Sequence, residues 1–221
     1  MIKAIAEDGN AKFAWEAERG PKYICPGCEG RVVLKRGEVK VAHFAHYPGD
    51  SCPYSIGESW EHMRMKENMI KILRKRYASD MIDSEVAVID GRRADIVLKL
   101  PDFPLVIECQ VSPISVAEVR ERTQDYLKAG CFVQWVFHLS RLKRDGFYER
   151  VGAVRIPEEI RFLETKTLPL YFMDDDGRIR SCELKYKWAK GSATYTKTTC
   201  FCNFKKVRLQ QFVLMFTKYD I

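Results

Sequence analysis

The chain has 221 residues, 46% of them hydrophobic, which suits one domain with an appendage or two small domains around a real core. It carries 37 Lys and Arg against 30 Asp and Glu, and the net charge of +7 mildly favours a polyanionic partner. No apolar run approaches the roughly 20 residues that span a bilayer, and the acidic residues near the start are unlike a secretion signal. We therefore expect a cytoplasmic protein with no membrane partner, whose eight cysteines are reduced or metal-bound.

Residues 1–56 predict a small β module that binds structural Zn²⁺. Strand-like segments at 2–6 and 12–17 flank an Asp-Gly-Asn turn, and segments 32–35 and 39–42 predict a second hairpin across Arg36-Gly37-Glu38. A structural zinc site needs four protein ligands. Because such an ion has no coordination position left for a substrate, it stabilises the module and does not take part in catalysis. This window offers five candidates, of which one of the last three is not expected to be a ligand: Cys25, Cys28, His43, His46 and Cys52. The alternative is a small domain with incidental thiols and surface histidines.

A long helix is predicted from about residue 57 to 78, a stretch with no Pro or internal Gly and with an apolar stripe at helical spacing. Glu58, His62 and Lys66 lie at i, i+4 and i+8, and therefore on one face of this helix. Glu58, in the predicted first turn, could face a metal ion. The alternative is a solvated face supported by pairs of residues four apart.

Two apolar segments, 92–98 and 105–112, flank a Pro-Asp-Phe-Pro turn and predict adjacent strands. Glu108 and Gln110 are two residues apart and share one face of the second strand. If Asp95 faces the same way from the first strand, two carboxylates converge, which suits a hard cation such as Mg²⁺. In the alternative interpretation Asp95 is a surface residue and Glu108 is a buried partner of Arg93.

The remaining core elements are a strand at 84–89, a helix at 115–127 with Ser115 as its N-cap, and a strand at 131–138. The order is then helix, three strands, helix, strand. Arg120 and Arg122 lie on the second helix, where they could contact phosphate or simply belong to an exposed amphipathic face.

Beyond residue 150, segments 168–173 and 179–188 predict a hairpin across an Asp-Asp-Asp-Gly turn. Residues 185–208 then hold seven cations and no acid, interleaved with aromatic residues. Cations for the backbone and rings for the bases are what a single-stranded nucleic acid groove requires, although the same alternation describes a strand with one wet face. The predicted nucleic-acid-binding residues are Arg93, Arg120, Arg122, Lys185, Lys187, Lys205 and Lys206.

Three motifs together resemble a known family. An acid followed about a dozen residues later by acid-x-polar on a hydrophobic strand resembles the signature of PD-(D/E)XK nucleases. Over about residues 20–140 the chain resembles more closely the nuclease-like domain of the competence protein CoiA family. Three motifs carry this resemblance: Arg93-Ala94-Asp95, Glu108-Cys109-Gln110-x-Ser112 and Glu58-Ser59-x-x-His62-x-x-x-Lys66. That family also carries Cys-Pro-x-Cys followed by His-Phe-x-His, as found here at 25–28 and 43–46.

The resemblance implies an α/β protein with a PD-(D/E)XK restriction-endonuclease-like core, αβββαβ with a mixed sheet, behind a small N-terminal zinc-binding β module. We place the module at 1–56, the nuclease-like core at 57–150 and a β-rich basic extension at 151–221. The implied activity is Mg²⁺-dependent (or Mn²⁺-dependent) hydrolysis of DNA, with Asp95 and Glu108 as magnesium ligands. Glu58, His62 and Lys66 would line the site.

Gln110 stands where Lys usually completes the nuclease triad, although Glu-x-Gln is the usual form in CoiA-like proteins. A neutral amide can position water but supplies no positive charge and takes up no proton, so either the metal suffices or Lys66 reaches in. The expected partners are DNA, with single strands as one option, and recombination or DNA-uptake proteins. Use in phage or in defence is equally compatible. The alternative function is that of a catalytically silent, zinc-containing accessory protein that binds DNA.

Overall fold

The computed structural model describes residues 1–50, 52, 58–142, 157, 160, 170–187 and 199–206. For residues 181–187 and 199–206 it describes the backbone strands and their pairing but not the side chains. The chain divides into two compact units, Met1–Ile107 and Glu108–Ile221. The first unit contains β1 (Lys3–Ala6), β2 (Ala11–Phe13), β3 (Tyr23–Ile24), β4 (Arg31–Lys35), β5 (His43–His46), α1 (Trp60–Leu73), β6 (Ile82–Ile89) and β7 (Arg92–Lys99). β8 (Pro104–Gln110) passes from the first unit into the second, which contains α2 (Val116–Lys128), β9 (Phe132–His138), β10 (Leu170–Met173), β11 (Ile179–Lys187) and β12 (Thr199–Lys206).

This is a mixed α/β protein, as the sequence predicted. Between Trp60 and His138 the main elements follow the predicted order of helix, three strands, helix and strand, with short 3-10 turns at Ser79–Met81 and Leu139–Arg141. Neither described helix is long and apolar enough to cross a membrane.

The five N-terminal strands form an antiparallel sheet in the order β2-β1-β3-β4-β5. One face of this sheet is buried, and its core includes Tyr23, Val32 and Phe44. The rings of Tyr23 and Phe44 pack with their centroids 4.9 Å apart. Successive residues of a strand point to opposite faces, so Val33 and Ala45, which pair across β4 and β5, lie on the other face.

The prediction that segment 39–42 pairs with 32–35 was wrong. The structure instead pairs β4 with β5, so that Leu34 lies opposite Phe44. Val39 is 84% exposed whereas Phe44 is 1% exposed, and burial of the aromatic ring accounts for the choice of partner.

Helix α1 is shorter than the predicted 57–78. It begins after Ser59, whose side chain accepts a hydrogen bond from the His62 backbone N–H at 3.2 Å, so Glu58 precedes the N-cap and does not lie in the first turn. The apolar stripe that includes Met65, Met69 and Leu73 is buried, as predicted. Lys66 is buried with it.

Strands β6, β7 and β8 form an antiparallel meander in the first unit, as far along β8 as Ile107. Ser84 lies opposite Ile96 and Val86 opposite Ala94, so Glu85 and Asp95 occupy the intervening position on the two strands. Glu85 has a φ of +57°, in the left-handed region that a non-glycine residue adopts only at a cost of about 1–2 kcal/mol.

The second unit has a mixed sheet, in which β9 pairs with β10 in parallel and β10, β11 and β12 pair antiparallel. Ser115 caps α2 by accepting from the Glu118 N–H at 3.0 Å, as predicted. The hairpin of β10 and β11 and its acidic turn are also confirmed: Asp174 Oδ1 accepts from the backbone N–H groups of Asp176 and Arg178. The core includes Val119, Trp135, Phe137, Leu170 and Phe172.

Candidate functional site

Four side chains of the N-terminal module bring metal-binding atoms together. The ligand atoms of Cys25, Cys28, His46 and Cys52 all lie within 4.8 Å of one another. Cys25 Sγ is 4.0 Å from Cys52 Sγ, and Cys28 Sγ is 3.3 Å from His46 Nε2. Ligands on a tetrahedral zinc with Zn–S bonds of about 2.3 Å are separated by about 3.8 Å, so this group fits the ion.

The local chain shapes the knuckle that carries two of these thiols. The Cys25 N–H donates to the Gly30 carbonyl at 2.8 Å, and the Glu29 N–H donates to the Cys25 carbonyl at 2.9 Å. A Cβ on Gly30 would lie 3.2 Å from Cys28 Sγ, so glycine leaves room for the thiol. Burial raises the pKa of Cys25 to about 11, and the thiolate that zinc requires therefore needs a cation to stabilise it.

His43, the fifth predicted candidate, is not part of this group. The pairing of β4 with β5 places His46 opposite Val32, on the buried face, and His43 opposite Lys35, on the other face. The His43 ring Nδ1 lies 2.9 Å from the Val41 carbonyl instead. The structure thus brings together four of the five predicted residues in a Cys3His group that could bind a metal such as zinc.

A second cluster in the first unit joins four of the residues predicted for a nuclease site. His62 Nε2 lies 3.0 Å from Asp95 Oδ2, and His62 Nδ1 lies 3.1 Å from Glu58 Oε1. Lys66, only 1% exposed, forms an ion pair with the same Glu58 oxygen. The helical face that carries His62 and Lys66 is therefore packed against β7 and is not a solvated surface.

Glu85 completes this cluster, and the sequence analysis did not identify it. Its Oε1 lies 2.7 Å from Lys66 Nζ and accepts from the Ile2 backbone N–H at 3.3 Å. Its Oε2 is buried and has no hydrogen-bond partner among the described residues. A glutamate in the middle of an apolar strand was the available signal, but the positive φ that aims it inward cannot be read from residue types.

The charges in this cluster support one another. Burial opposes the imidazolium, but the charge and hydrogen bond of Asp95 outweigh it and raise the pKa of His62 to about 10. Burial likewise opposes the carboxylate of Glu58, but His62 and Lys66 outweigh it and lower its pKa to about 2. The pKa of Lys66 is raised above its ordinary value, because Glu85, Glu58 and Asp95 together outweigh desolvation. With the N-terminal ammonium, which lies 3.7 Å from Glu58 Oε2, three cations thus face three carboxylates.

Glu108 belongs to a separate group in the second unit. It is 1% exposed, its Oε1 accepts a hydrogen bond from Tyr126 Oη at 2.7 Å, and its Oε2 pairs with Arg122. Burial and the nearby Glu108 charge raise the pKa of Tyr126 above its ordinary value. Gln110, two residues on, donates from Nε2 to the Ser112 carbonyl at 2.7 Å.

The other predicted nucleic-acid contacts are dispersed. Arg122 packs over the Trp135 ring at 5.5 Å in addition to its pair with Glu108, Arg120 is exposed on α2, and Arg93 is half-buried on β7. Along β11 and β12, Lys185 lies opposite Phe201 and Lys187 opposite Thr199, while Lys205 and Lys206 lie opposite Ser181 and Arg180. Residues 188–198 and 207–208 of the basic stretch lie outside the described residues.

Two family models match the chain. One, described as the N-terminal domain of competence protein CoiA, matches residues 9–55, and the other, described as the nuclease-like domain of competence protein CoiA, matches residues 58–215. A curated protein, competence protein CoiA of Bacillus subtilis (strain 168), is 30% identical over 131 residues, which cover 58% of this chain and 35% of that protein. The chain therefore aligns with about a third of the length of this relative. No solved structure gives a significant match.

Proposed function

Because this chain belongs to the competence protein CoiA family, we propose that it hydrolyses phosphodiester bonds in DNA with the help of Mg²⁺ or Mn²⁺, on a PD-(D/E)XK-type core. The observation that carries the proposal is the buried cluster in which Glu58, Glu85 and Asp95 surround His62 and Lys66. A role in DNA uptake and recombination, suggested by the name of the relative, and a role in phage or defence DNA processing are both compatible with this activity.

The cluster fits a hard divalent cation. Such ions bind carboxylate oxygens, and the cluster brings three carboxylates together beside an equal number of cations: His62, Lys66 and the N-terminal ammonium, which lies 3.7 Å from Glu58 Oε2. Glu58 and Asp95 are the candidate ligands, and the unpartnered Oε2 of Glu85 is an oxygen that a cation or its bound water could use. A bound cation would polarise the phosphoryl oxygen and lower the pKa of an attacking water.

The chain's own residues supply position and charge. His62 contacts both Glu58 and Asp95, and it therefore fixes the orientation of the two candidate ligands. Lys66 is held between Glu58 and Glu85 and is almost fully buried, which suits a fixed positive charge and not a proton acceptor. In this proposal Lys66 supplies the positive charge that Gln110 lacks, and solvent water accepts the proton that the attacking water releases.

Glu108 remains a proposed second ligand on strand β8. The pairing of β7 with β8 places Ile96 opposite Ile107; Asp95 precedes Ile96 in the chain, and Glu108 follows Ile107. To bind a cation, Glu108 would have to exchange its pair with Arg122 for the metal. Gln110 would orient water through its amide.

That pair also favours a second candidate function. A Glu108 satisfied by Arg122 and Tyr126 is a structural residue, as expected in a DNA-binding accessory protein that does not cleave. Because the cost of separating a buried pair is several kcal/mol, the competition between Arg122 and the metal decides between the two functions.

Incubation of single- and double-stranded DNA with the chain, with and without Mg²⁺, tests the proposal. We expect Mg²⁺-dependent cleavage that Asp95→Asn lowers by about a hundredfold or more, while Asp102→Asn in the exposed turn before β8 changes nothing. Glu108→Gln should abolish cleavage and leave DNA binding intact if Glu108 is a ligand. DNA binding without cleavage by the parent chain would instead support the accessory function.

A further inference from the structure

The outer face of the N-terminal sheet lies away from the core of the module, and at its edge Arg31 and Tyr47 also line the hollow beside Cys28, His46 and Cys52. Across β3, β4 and β5, Ile24 lies opposite Arg31, Val33 opposite Ala45, and Lys35 opposite His43, so these side chains share one face. The buried face of the same strands carries Val32, Phe44 and His46. The outer face therefore combines cations with small apolar side chains.

The cations of this surface are available for a ligand. Arg31, Lys35 and Lys40 are exposed, and none of them has an ion-pair or hydrogen-bond partner among the described residues. Lys22 forms an exposed pair, with its Nζ 3.7 Å from Glu7 Oε1. From Arg19 to Tyr47 the chain carries six cations and two carboxylates, so the surface attracts polyanions.

Two adjoining hollows run over this surface. The first has a volume of about 390 Å³ and is lined by Arg19, Lys22, Tyr23, Arg31, Val33 and Tyr47, among others. The second, of about 650 Å³, is lined by Lys35, Lys40 and His43 and shares Arg19 and Leu34 with the first. Because they share these residues the two hollows adjoin, and we call them together the track; the acids that line it are Glu18 and Glu38.

The walls of the track are held in place before any ligand arrives. Tyr23 Oη donates to the Glu18 carbonyl at 3.0 Å and accepts from the Glu18 N–H at 3.1 Å, which fixes the loop between β2 and β3. Arg36 Nη2 donates to the carbonyls of Ala14 and Ala17 at 2.6 and 2.7 Å. A fixed surface loses little entropy on binding.

We propose that this face of the zinc module, defined by Arg31, Lys35, Lys40 and Tyr47, binds single-stranded nucleic acid. Arg31, Lys35 and Lys40 would neutralise successive phosphates, and Tyr47, which is 51% exposed at the rim of the first hollow, would stack on a base. The surface shares its ligand class with the proposed nuclease function but none of its residues with the carboxylate cluster.

The test is binding of a fluorescently labelled oligo-dT of about 20 nucleotides to the 221-residue chain carrying Asp95→Asn, without added divalent cations, at several salt concentrations. The double substitution Arg31→Gln with Lys35→Gln should weaken binding at least tenfold. It should also reduce the slope of log K against log salt by about 1.4, since each single-strand phosphate contact contributes about 0.7. The matched control, Lys75→Gln with Lys128→Gln, removes two exposed charges elsewhere and should change the affinity less than twofold.

Tyr47 separates stacking from simple charge attraction. Tyr47→Ala should weaken oligo-dT binding about tenfold while Tyr47→Phe preserves it, because the ring and not the hydroxyl stacks. Bound zinc and melting temperature are measured for each variant, so that a folding defect is recognised. Equal losses in the Lys75/Lys128 control, duplex binding as tight as single-strand binding, or full displacement by poly-glutamate would each overturn the proposal. Cleavage by the parent chain is measured separately, so failure here leaves the nuclease proposal standing, and the reverse also holds.

Discussion

The ammonium group of Lys66 is a buried charge in the first unit that neighbouring carboxylates stabilise. The desolvation penalty of a buried ammonium is several kcal/mol, and it is offset only because Glu58 and Glu85 both contact Nζ. The sequence analysis placed Glu58, His62 and Lys66 on one helical face; the structure brings the three side chains together, although Glu58 precedes the helix. The sequence could not show whether these side chains are exposed to solvent or buried, because i, i+4 spacing occurs on both exposed and buried helical faces.

Substitution of Lys66 tests this balance. Lys66→Met should lower the free energy of unfolding by about 3–5 kcal/mol, since it leaves Glu85 as an uncompensated buried charge. Adding Glu85→Gln should restore part of the loss. Lys71→Met, on the exposed side of the same helix, removes a pair with Glu67 and should cost less than about 1 kcal/mol. Urea denaturation measures all three, and a Lys66→Met chain as stable as the parent would contradict the role assigned to Lys66.

The two histidines of β5 show what residue spacing can and cannot decide. Their separation of three places them on opposite faces of any regular strand, so one of them could have been removed from the zinc site in advance. Which one remained depended on the burial of Phe44, and that followed from the pairing of β4 with β5. The pairing of the strands, and not the local residue pattern, therefore determines which of the two histidines lies at the zinc site.

At the level of elements, local signals and most predicted hairpins agree with the structure, and the partner predicted for β4 does not. The caps of α1 and α2 and the turn between β10 and β11 depend on neighbouring residues, and the cap of α2 and the turn were identified from sequence. The partner of β4 was misassigned because segment 39–42 has the composition of a strand but leaves Val39 exposed. The position of Glu85 was missed for a similar reason, since its inward direction depends on a local departure from regular strand geometry.

Strand β1 and the residue before it link the N-terminal sheet to β6 through contacts that no sequence motif predicts. Lys3 forms an ion pair with Asp83, and the Ile2 N–H donates to Glu85 Oε1. Burial raises the pKa of Asp83, but the hydrogen bond and charge of Lys3 outweigh it, and the net pKa is lowered. β1 therefore takes part both in the core of the zinc module and in the carboxylate cluster.

A double-mutant cycle on this pair tests the link between β1 and β6. Lys3→Met, Asp83→Asn and their combination should give a coupling energy of about 1 kcal/mol, because Lys3 is largely buried and Asp83 only partly exposed. The same cycle on Lys22 and Glu7, which are both exposed and 3.7 Å apart, should give no measurable coupling. Equal coupling in the two cycles would mean that the Lys3–Asp83 contact contributes nothing specific to the link.

At the scale of the whole molecule, the first unit contains both candidate sites. Cys25 and Cys52 pack in the same core as Tyr23, Phe44 and Ala4 of β1, and β1 reaches Glu85 through Ile2. The metal group and the carboxylate cluster are thus parts of one structural unit. The sequence predicted each of them as a motif but placed them in separate domains. It predicted a strand at 2–6 but not that this strand joins the two sites.

Metal analysis of the purified chain tests the structural role of the Cys3His group. We expect one zinc per chain, because four ligand atoms already lie at distances that suit a tetrahedral ion. Chelation should lower the melting temperature by about 10 °C, the shift that about 4 kcal/mol produces in a chain of this size. Cys25→Ser should lose the metal.

Gly30→Ala should keep one zinc but release it to a chelator about tenfold faster, because the new Cβ lies 3.2 Å from Cys28 Sγ. Gly37→Ala, whose Cβ meets nothing within 4 Å, is the matched control and should behave like the parent. A metal-free chain that melts at the same temperature as the zinc-bound chain would exclude a structural role for the ion.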